Sequence, residues 1–483
     1  MNPYLVLAIV LGYFFLLVGV SWLTSRKADT QTFFTANRRS PWYLVAFGMV
    51  GATLSGVTFI SVPGEVGNSA FSYLQLVFGN IVGYWLVAGI LLPLYYKMNL
   101  VSIYSFLDKR FGVKSYKTGS FFFLISKLIG AAFRLYLVAG VLQIAFFDTF
   151  NIPFSLTVVV TIALIWVYTY RGGIKTIVWT DTLQTLFLVS AVIFTIVTIS
   201  GDLDLSGAEL IKSISNDENS KLFFWDWRSG NNFFKQFIAG IFITIVMVGM
   251  DQDMMQKNLT CRNIKEAQKN MFVFSFSFLI TVVLFLSLGV MLYLFAGKSG
   301  ISVPEKSDDL YPFLALNHLG LPVAVAFLLG ITSAAYSSAD SALTALTTSF
   351  SVDFLKIEKY EEQKRKKIKK WSHLLFSFLL AAVIIVFHTI NNESIVIAVF
   401  RVAGYTYGPI LGLFVFGMYS KRKVVDKWVP FIGISAPVIS YFISSYSEII
   451  FNGYKFGFEL LILNGLLTII GLYFISKKNV AEN

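Results

Sequence analysis

The apolar residues of this 483-residue chain fall in long blocks rather than in one-sided stripes, and polar residues gather in short segments between them. The blocks run to about 20 residues or more, long enough to cross a bilayer as helices. They predict about 13 helical spans, over 4–24, 43–71, 73–96, 118–148, 153–170, 181–200, 233–256, 270–297, 321–352, 372–390, 394–419, 428–446 and 457–476. No stretch between them is polar enough for a soluble domain, so the expectation is a single all-α polytopic membrane domain. The first block carries no basic leader and runs long for a cleaved signal, so it reads as a retained span.

Composition agrees. Charged residues make up 14% of the chain, against roughly 25% in soluble domains, and mean hydropathy is +0.70. A single cysteine, Cys261, permits no internal disulfide. His318, His373 and His388 lie far apart without ligand spacing, so neither zinc nor haem is expected. No nucleophile–base pair stands in a span, so an enzyme is not expected.

The formal net charge is +12, which in a soluble chain would suggest nucleic acid or a lipid surface. Its placement gives a simpler reading. Loops after alternate spans hold 29 of the 39 Lys and Arg: Arg26, Lys27, Arg38 and Arg39; Lys97 to Lys117; Arg171 and Lys175; Lys257 to Lys269; Lys356 to Lys370; Lys421 to Lys427; Lys477 and Lys478. The opposite loop 201–232 is rich in Asp and Glu. The positive-inside rule then puts the N-terminus outside and the C-terminus in the cytoplasm, which needs an odd number of spans. The expected location is a plasma (inner) membrane, with the lipid bilayer as partner and no nucleic acid.

A charge inside a span is costly and usually faces a cavity or a partner, and five stand out: Lys127, Arg134, Asp181, Asp340 and Arg401. Lys127 and Arg134, seven apart, share a helix face. Three cations against two anions favour a negatively charged solute, although structural ion pairing accounts for such residues equally. In 321–352, Ser337, Asp340 and Ser341 fall on one face; their oxygens suit a small hard cation, although membrane serines also bond their own backbone. Between 51 and 64, Gly51, Ser55, Gly56, Pro63 and Gly64 predict an interrupted helix, whose freed carbonyls could hold an ion. A kink is the plainer alternative.

The stretch Arg171-Gly172-Gly173 with Val178-Trp179-Thr180-Asp181 and Gln184 resembles a signature of the sodium/solute symporter family. So do Tyr104 to Gly112, Asp251-Gln252 with Gln256, and Gly408-Pro409-Ile410-Leu411-Gly412. The resemblance covers nearly the whole chain. It implies a LeuT-like core with an inverted five-helix repeat, 43–200 and 233–419, after the extra span 4–24 and before two more in 428–476. It implies a sodium site on the carbonyls of Gly51, Leu54 and Ala334 and the hydroxyls of Ser337 and Ser338. A second cation site, found in some members, would fall on Asp181 and Ser341, with Asp340 where those members carry a hydroxyl residue. Asp340 could add a ligand, pair with Arg134 or Lys127, or carry a proton.

Positions matching the polar groove of sugar-carrying members are Val77, Thr244 and Met247, poor partners for a sugar ring. Val62 to Val66 is more similar to the monocarboxylate, vitamin and iodide branch. The expected function is therefore sodium-coupled symport of a small organic solute, such as a carboxylate, by alternating access, with Ser55, Thr58, Gln75 and Arg134 as candidate solute contacts. The alternatives are proton coupling through Asp340, a sugar or other neutral solute, and a membrane sensor with a transporter shell.

Overall fold

The computed structural model describes residues 3–25, 30–390 and 395–477. Arg26, Lys27, Lys478 and the side chain of Arg171, all counted in the charge asymmetry, lie outside the described part.

Helices account for nearly all of it. In chain order the main ones are α1 (Pro3–Ser25), α2 (Trp42–Thr53), α3 (Gly56–Ser69), α4 (Tyr73–Leu86), α5 (Val113–Ala145), α6 (Phe154–Asp202), α7 (Phe233–Thr244) and α8 (Gln252–Asn258). They continue with α9 (Ile264–Lys298), α10 (Gly320–Ser349), α11 (Glu362–Ile390), α12 (Ile395–Thr406), α13 (Gly408–Tyr419), α14 (Val429–Ser445) and α15 (Leu460–Phe474). A two-residue antiparallel pairing of Lys423–Val424 with Ser476–Lys477 ties the end of α15 to the chain after α13.

Among the described residues, eight helices are long and apolar enough to cross a membrane, or ten if two bent pairs each form one span. The thirteen expected from the apolar blocks are not reached by that measure. Trp42–Thr53, Phe154–Thr169 and Leu460–Phe474 are apolar but short, and Gly56–Lys97 runs on through the point at residue 72 where the sequence was divided.

Three interruptions shape the bundle. The first parts α2 from α3 at Leu54 and Ser55, where an interrupted helix is expected. The second, not foreseen in 233–256, bends the chain by 69° between Phe233–Gly249 and Gln252–Asn258. The third lies inside α6, where Gly173 takes φ 56°, ψ −148°. Left-handed backbone there favours glycine, and a side chain would also collide with the Phe33 ring. Asp181, expected at the start of a span, consequently lies two turns inside a helix.

α10 is the most enclosed of the membrane-length helices: every residue from Gly330 to Ser349 is buried. It packs along α6, with α2, α3, α5 and α11 around it. Small residues allow this crowding, as in membrane bundles generally.

Candidate functional site: a central cavity and a cation cluster

The break between α2 and α3 is built by its backbone. Leu54 (φ −79°, ψ 74°) leaves helical geometry and Ser55 is extended. The Ser55 N–H turns back to the Thr53 carbonyl at 3.0 Å instead of reaching Gly51, four residues earlier. Helical bonding resumes with Phe59 N–H on the Ser55 carbonyl at 3.1 Å. The break therefore releases the carbonyls of Gly51 and Leu54, the two named from the sequence, and freed carbonyls need another partner.

α2 lies against both α6 and α10 at this point. A Cβ on Gly51 would overlap the Thr185 hydroxyl and come within 3.2 Å of the Asp181 carbonyl oxygen. From the other side, the Ser337 hydroxyl donates to Asp181 Oδ1 at 2.6 Å. Gly51 and Ser337 thus meet around Asp181. Ala334, Ser337 and Ser338 are all buried, and the Ser338 hydroxyl has no hydrogen-bond partner among the described residues. A buried hydroxyl left unpaired is costly, so this one is open to accept a ligand. These oxygens suit a small cation such as sodium.

The candidate second cation position is different. Asp181 Oδ2 faces the Lys257 ammonium at 2.8 Å, with both side chains buried. Lys257 had been counted among the residues of a loop edge; it is an interior residue. Asp340 pairs with neither Arg134 nor Lys127. It lies on the α6 side of α10 and accepts from the Tyr168 hydroxyl at 2.9 Å, while its Oδ1 and the Ser341 hydroxyl lack partners among the described residues.

Beside the break lies a cavity of about 110 Å³, lined by Ser55, Thr58 and Arg134 among the expected solute contacts. Gln75 does not line it. The Gln75 amide donates to the Asn231 carbonyl at 2.9 Å and accepts from Phe224 N–H at 3.2 Å, anchoring the 224–231 segment to the start of α4. At one end of the cavity stand Tyr73 and Phe400, ring centroids 6.5 Å apart. At the other, Asp251 accepts from the Tyr407 hydroxyl at 2.6 Å and meets Lys127 at 3.3 Å.

Asp251 also caps α8, accepting from the N–H groups of Asp253 and Met254 at 2.9 and 3.2 Å. Lys127 reaches Asp253 as well, at 2.7 Å, and Asp253 stands 3.7 Å from Lys257. An unbroken polar chain thus runs from Ser337 through Asp181, Lys257, Asp253, Lys127 and Asp251 to Tyr407. Adding Asp251, Asp253 and Lys257 to the five charges singled out from the sequence removes the positive surplus, leaving four cations against four carboxylates. The sequence offered Asp251 only as a family marker; its cap role, an Asp directly before a short helix, was the available signal. Thr53, whose buried hydroxyl lacks a partner and lines the same cavity, was also missed.

A polar-lined cavity against an unwound helix, in a bundle of membrane-length helices, is the arrangement of a LeuT-like secondary transporter. The fold agrees with solved structures. A Na+-coupled sialic acid symporter in a substrate-bound outward-open state superposes with TM-score 0.81 at 20% identity, covering 98% of this chain and 99% of that one. A nucleobase-cation-symport-1 family transporter in a closed conformation gives 0.60 at 15%, covering 92% and 94%.

The chain belongs to the sodium:solute symporter family, whose family model matches residues 33–425. It is 26% identical to a sodium/sialic acid symporter of Aliivibrio fischeri, over 84% of this chain and 80% of that one. A sodium/sialic acid symporter of Proteus mirabilis is 24% identical over 91% and 89%. It is also 25% identical to human sodium-coupled monocarboxylate transporter 1, over 86% of this chain and 67% of that one. The protein is thus a multi-pass, sodium-coupled solute symporter and not an enzyme.

Proposed function

We propose that this symporter carries a small organic anion, such as a carboxylate, together with sodium. One observation carries the reading. Arg134 lines the cavity with no carboxylate at ion-pair distance among the described residues, whereas Lys127 is taken by Asp251 and Asp253. A guanidinium left open in a membrane cavity is costly and matches a carboxylate by paired hydrogen bonds. The relatives named for sialic acid and for monocarboxylates carry solutes of this charge. Ser55 and Thr58 line the same wall and would hydrogen-bond the bound solute.

Sodium binds on the carbonyls of Gly51, Leu54 and Ala334 and the hydroxyls of Ser337 and Ser338, holding the α2–α3 break in its binding shape. The solute then enters beside the break. Tyr73 with Phe400, and Tyr407 with Asp251 and Lys127, close the two ends of the cavity in turn. Parting of α2 from α10 separates the sodium oxygens and releases both cargoes. The ligands are coupled because each favours the same state, and the membrane potential adds about 2.3 kcal/mol per charge per 100 mV. The basic loops support an N-terminus outside and a C-terminus in the cytoplasm of a plasma (inner) membrane. The chain acts as one transporter domain, with repeats over 43–200 and 233–419.

Reconstitution tests this reading. Proteoliposomes with a sodium gradient, inside negative, should accumulate one of a panel of labelled carboxylates, and Arg134→Gln should abolish the uptake. Accumulation of neutral sugars and no anion would overturn it. Asp340, with its unpartnered Oδ1, is the group through which a proton could travel as well. Uptake driven by a proton gradient without sodium, lost in Asp340→Asn, would favour that second reading.

A further inference from the structure

We infer that the Lys257 ammonium is the resident occupant of the second cation position, so that this chain binds one sodium where a two-site relative would bind two. The inference rests on the sodium site proposed above and adds its stoichiometry.

Asp181 is the carboxylate on which a second cation would depend; one of its oxygens is hydrogen-bonded and the other stands in an ion pair. Oδ1 accepts from the Ser337 hydroxyl at 2.6 Å and Oδ2 faces Lys257 Nζ at 2.8 Å. The lysine side chain is 1% exposed and the aspartate 0%, so the pair is closed to bulk water. Lys257 is held from its own helix too, one turn from Asp253 at 3.7 Å. Asp340, the other carboxylate of the second position, gives Oδ2 to Tyr168 and lies within Coulombic reach of Lys257.

Buried lysine needs this much compensation, and a second free cation would undo it. Sodium placed about 4 Å from the ammonium would be weakened by about three orders of magnitude at an effective dielectric of about 20. The tethered charge also does what a diffusible ion could not. It is covalently part of α8, so it binds Asp181 to the helix whose cap, Asp251, closes one end of the solute cavity. A purely scaffolding ion pair would have no reason to share its carboxylate with a sodium-ligand serine, and this pair shares it directly.

The test is equilibrium binding of radioactive sodium to the purified full-length protein at constant ionic strength. Wild type should bind about one sodium per chain. Lys257→Met, which fills the same volume without the charge, should bind about two, and adding Asp181→Asn should bring the count back to about one, as charge balance around Asp181 requires. Lys257→Arg, which keeps the charge, should stay at about one. Two sodium ions on wild type overturn the inference while leaving the sodium site intact. So does a Lys257→Met protein that still binds only one. Wild type that binds no sodium overturns the sodium-site reading itself, and this inference with it. Should Lys257→Met fail to fold, the wild-type count and Lys257→Gln carry the same decision.

Discussion

Substituting Gly51 by alanine is a small change with a calculable consequence. The new methyl would overlap the Thr185 hydroxyl and stand 3.2 Å from both the Asp181 carbonyl oxygen and Thr185 Cβ. The oxygen is held in place, because its one proton is shared between the Phe47 carbonyl at 3.0 Å and the Asp181 carbonyl at 2.7 Å. α2 must therefore move off α6, carrying the freed carbonyls of Gly51 and Leu54 away from Ser337 and Ser338. Overpacking of this kind costs about 1–3 kcal/mol, and the displacement should also remove the sodium response. A ligand at a hundred times its Kd stabilises by about 2.7 kcal/mol, so the loss is measurable as a sodium-dependent thermal shift in detergent. Gly51→Ala should unfold lower than wild type and show little shift between sodium and potassium. Thr185→Ala in the same chain removes the overlapping oxygen and should restore part of both. A Gly51→Ala protein with the full sodium shift would refute the placement of the site against Asp181 and Thr185.

Arg134→Gln should keep the sodium-dependent thermal shift while weakening solute binding by more than about tenfold, since losing one partner of a buried charge pair costs about 2–5 kcal/mol; isothermal titration with a transported carboxylate checks it. Asp251→Ala removes the α8 cap and one partner of Lys127, and should destabilise by about 3–5 kcal/mol. Asp251→Asn keeps an acceptor for the cap and should lose less, as thermal unfolding of the two side by side will show. Asp308 lies in the segment before Leu310, where its Oδ2 accepts from Ile395 N–H at 3.1 Å. Burial holds its carboxyl above the ordinary carboxylate range. A carboxyl raised on folding favours the native state at low pH, and that contribution is lost as pH rises from the ordinary value through the folded one. Asp308→Asn should therefore gain stability relative to wild type above that window and lose the advantage below it, a comparison made from unfolding temperatures across pH.

The α2–α3 break was legible because several weak helix formers cluster within a few residues between Gly51 and Pro63. The bend before α8 was not, because Gly249 is a single glycine in an apolar run and the cap residue Asp251 passes for a span-end charge. The residues proposed for sodium were named by resemblance, whereas the environment of Asp181 could not be read from the sequence. Its partner Lys257 is remote in sequence and sits among basic residues that read as an orientation signal. Gln75 failed for a related reason: a polar residue near the start of a span can face a cavity or a returning loop, and only the fold of 224–231 decides. The number of spans stayed ambiguous because hydropathy measures apolar length, whereas several helices here are short, bent or run together.

The central claim is a sodium site made by the α2–α3 break and α10, and Ser338 is its cleanest probe, since its buried hydroxyl has no hydrogen-bond partner among the described residues. The most direct measurement is the unfolding temperature of purified wild type and Ser338→Ala in sodium, potassium and choline at equal ionic strength. The account predicts a rise specific to sodium in wild type and its loss in Ser338→Ala, with the two proteins alike in choline. Equal unfolding temperatures of wild type in all three salts, or an undiminished sodium rise in Ser338→Ala, would contradict it.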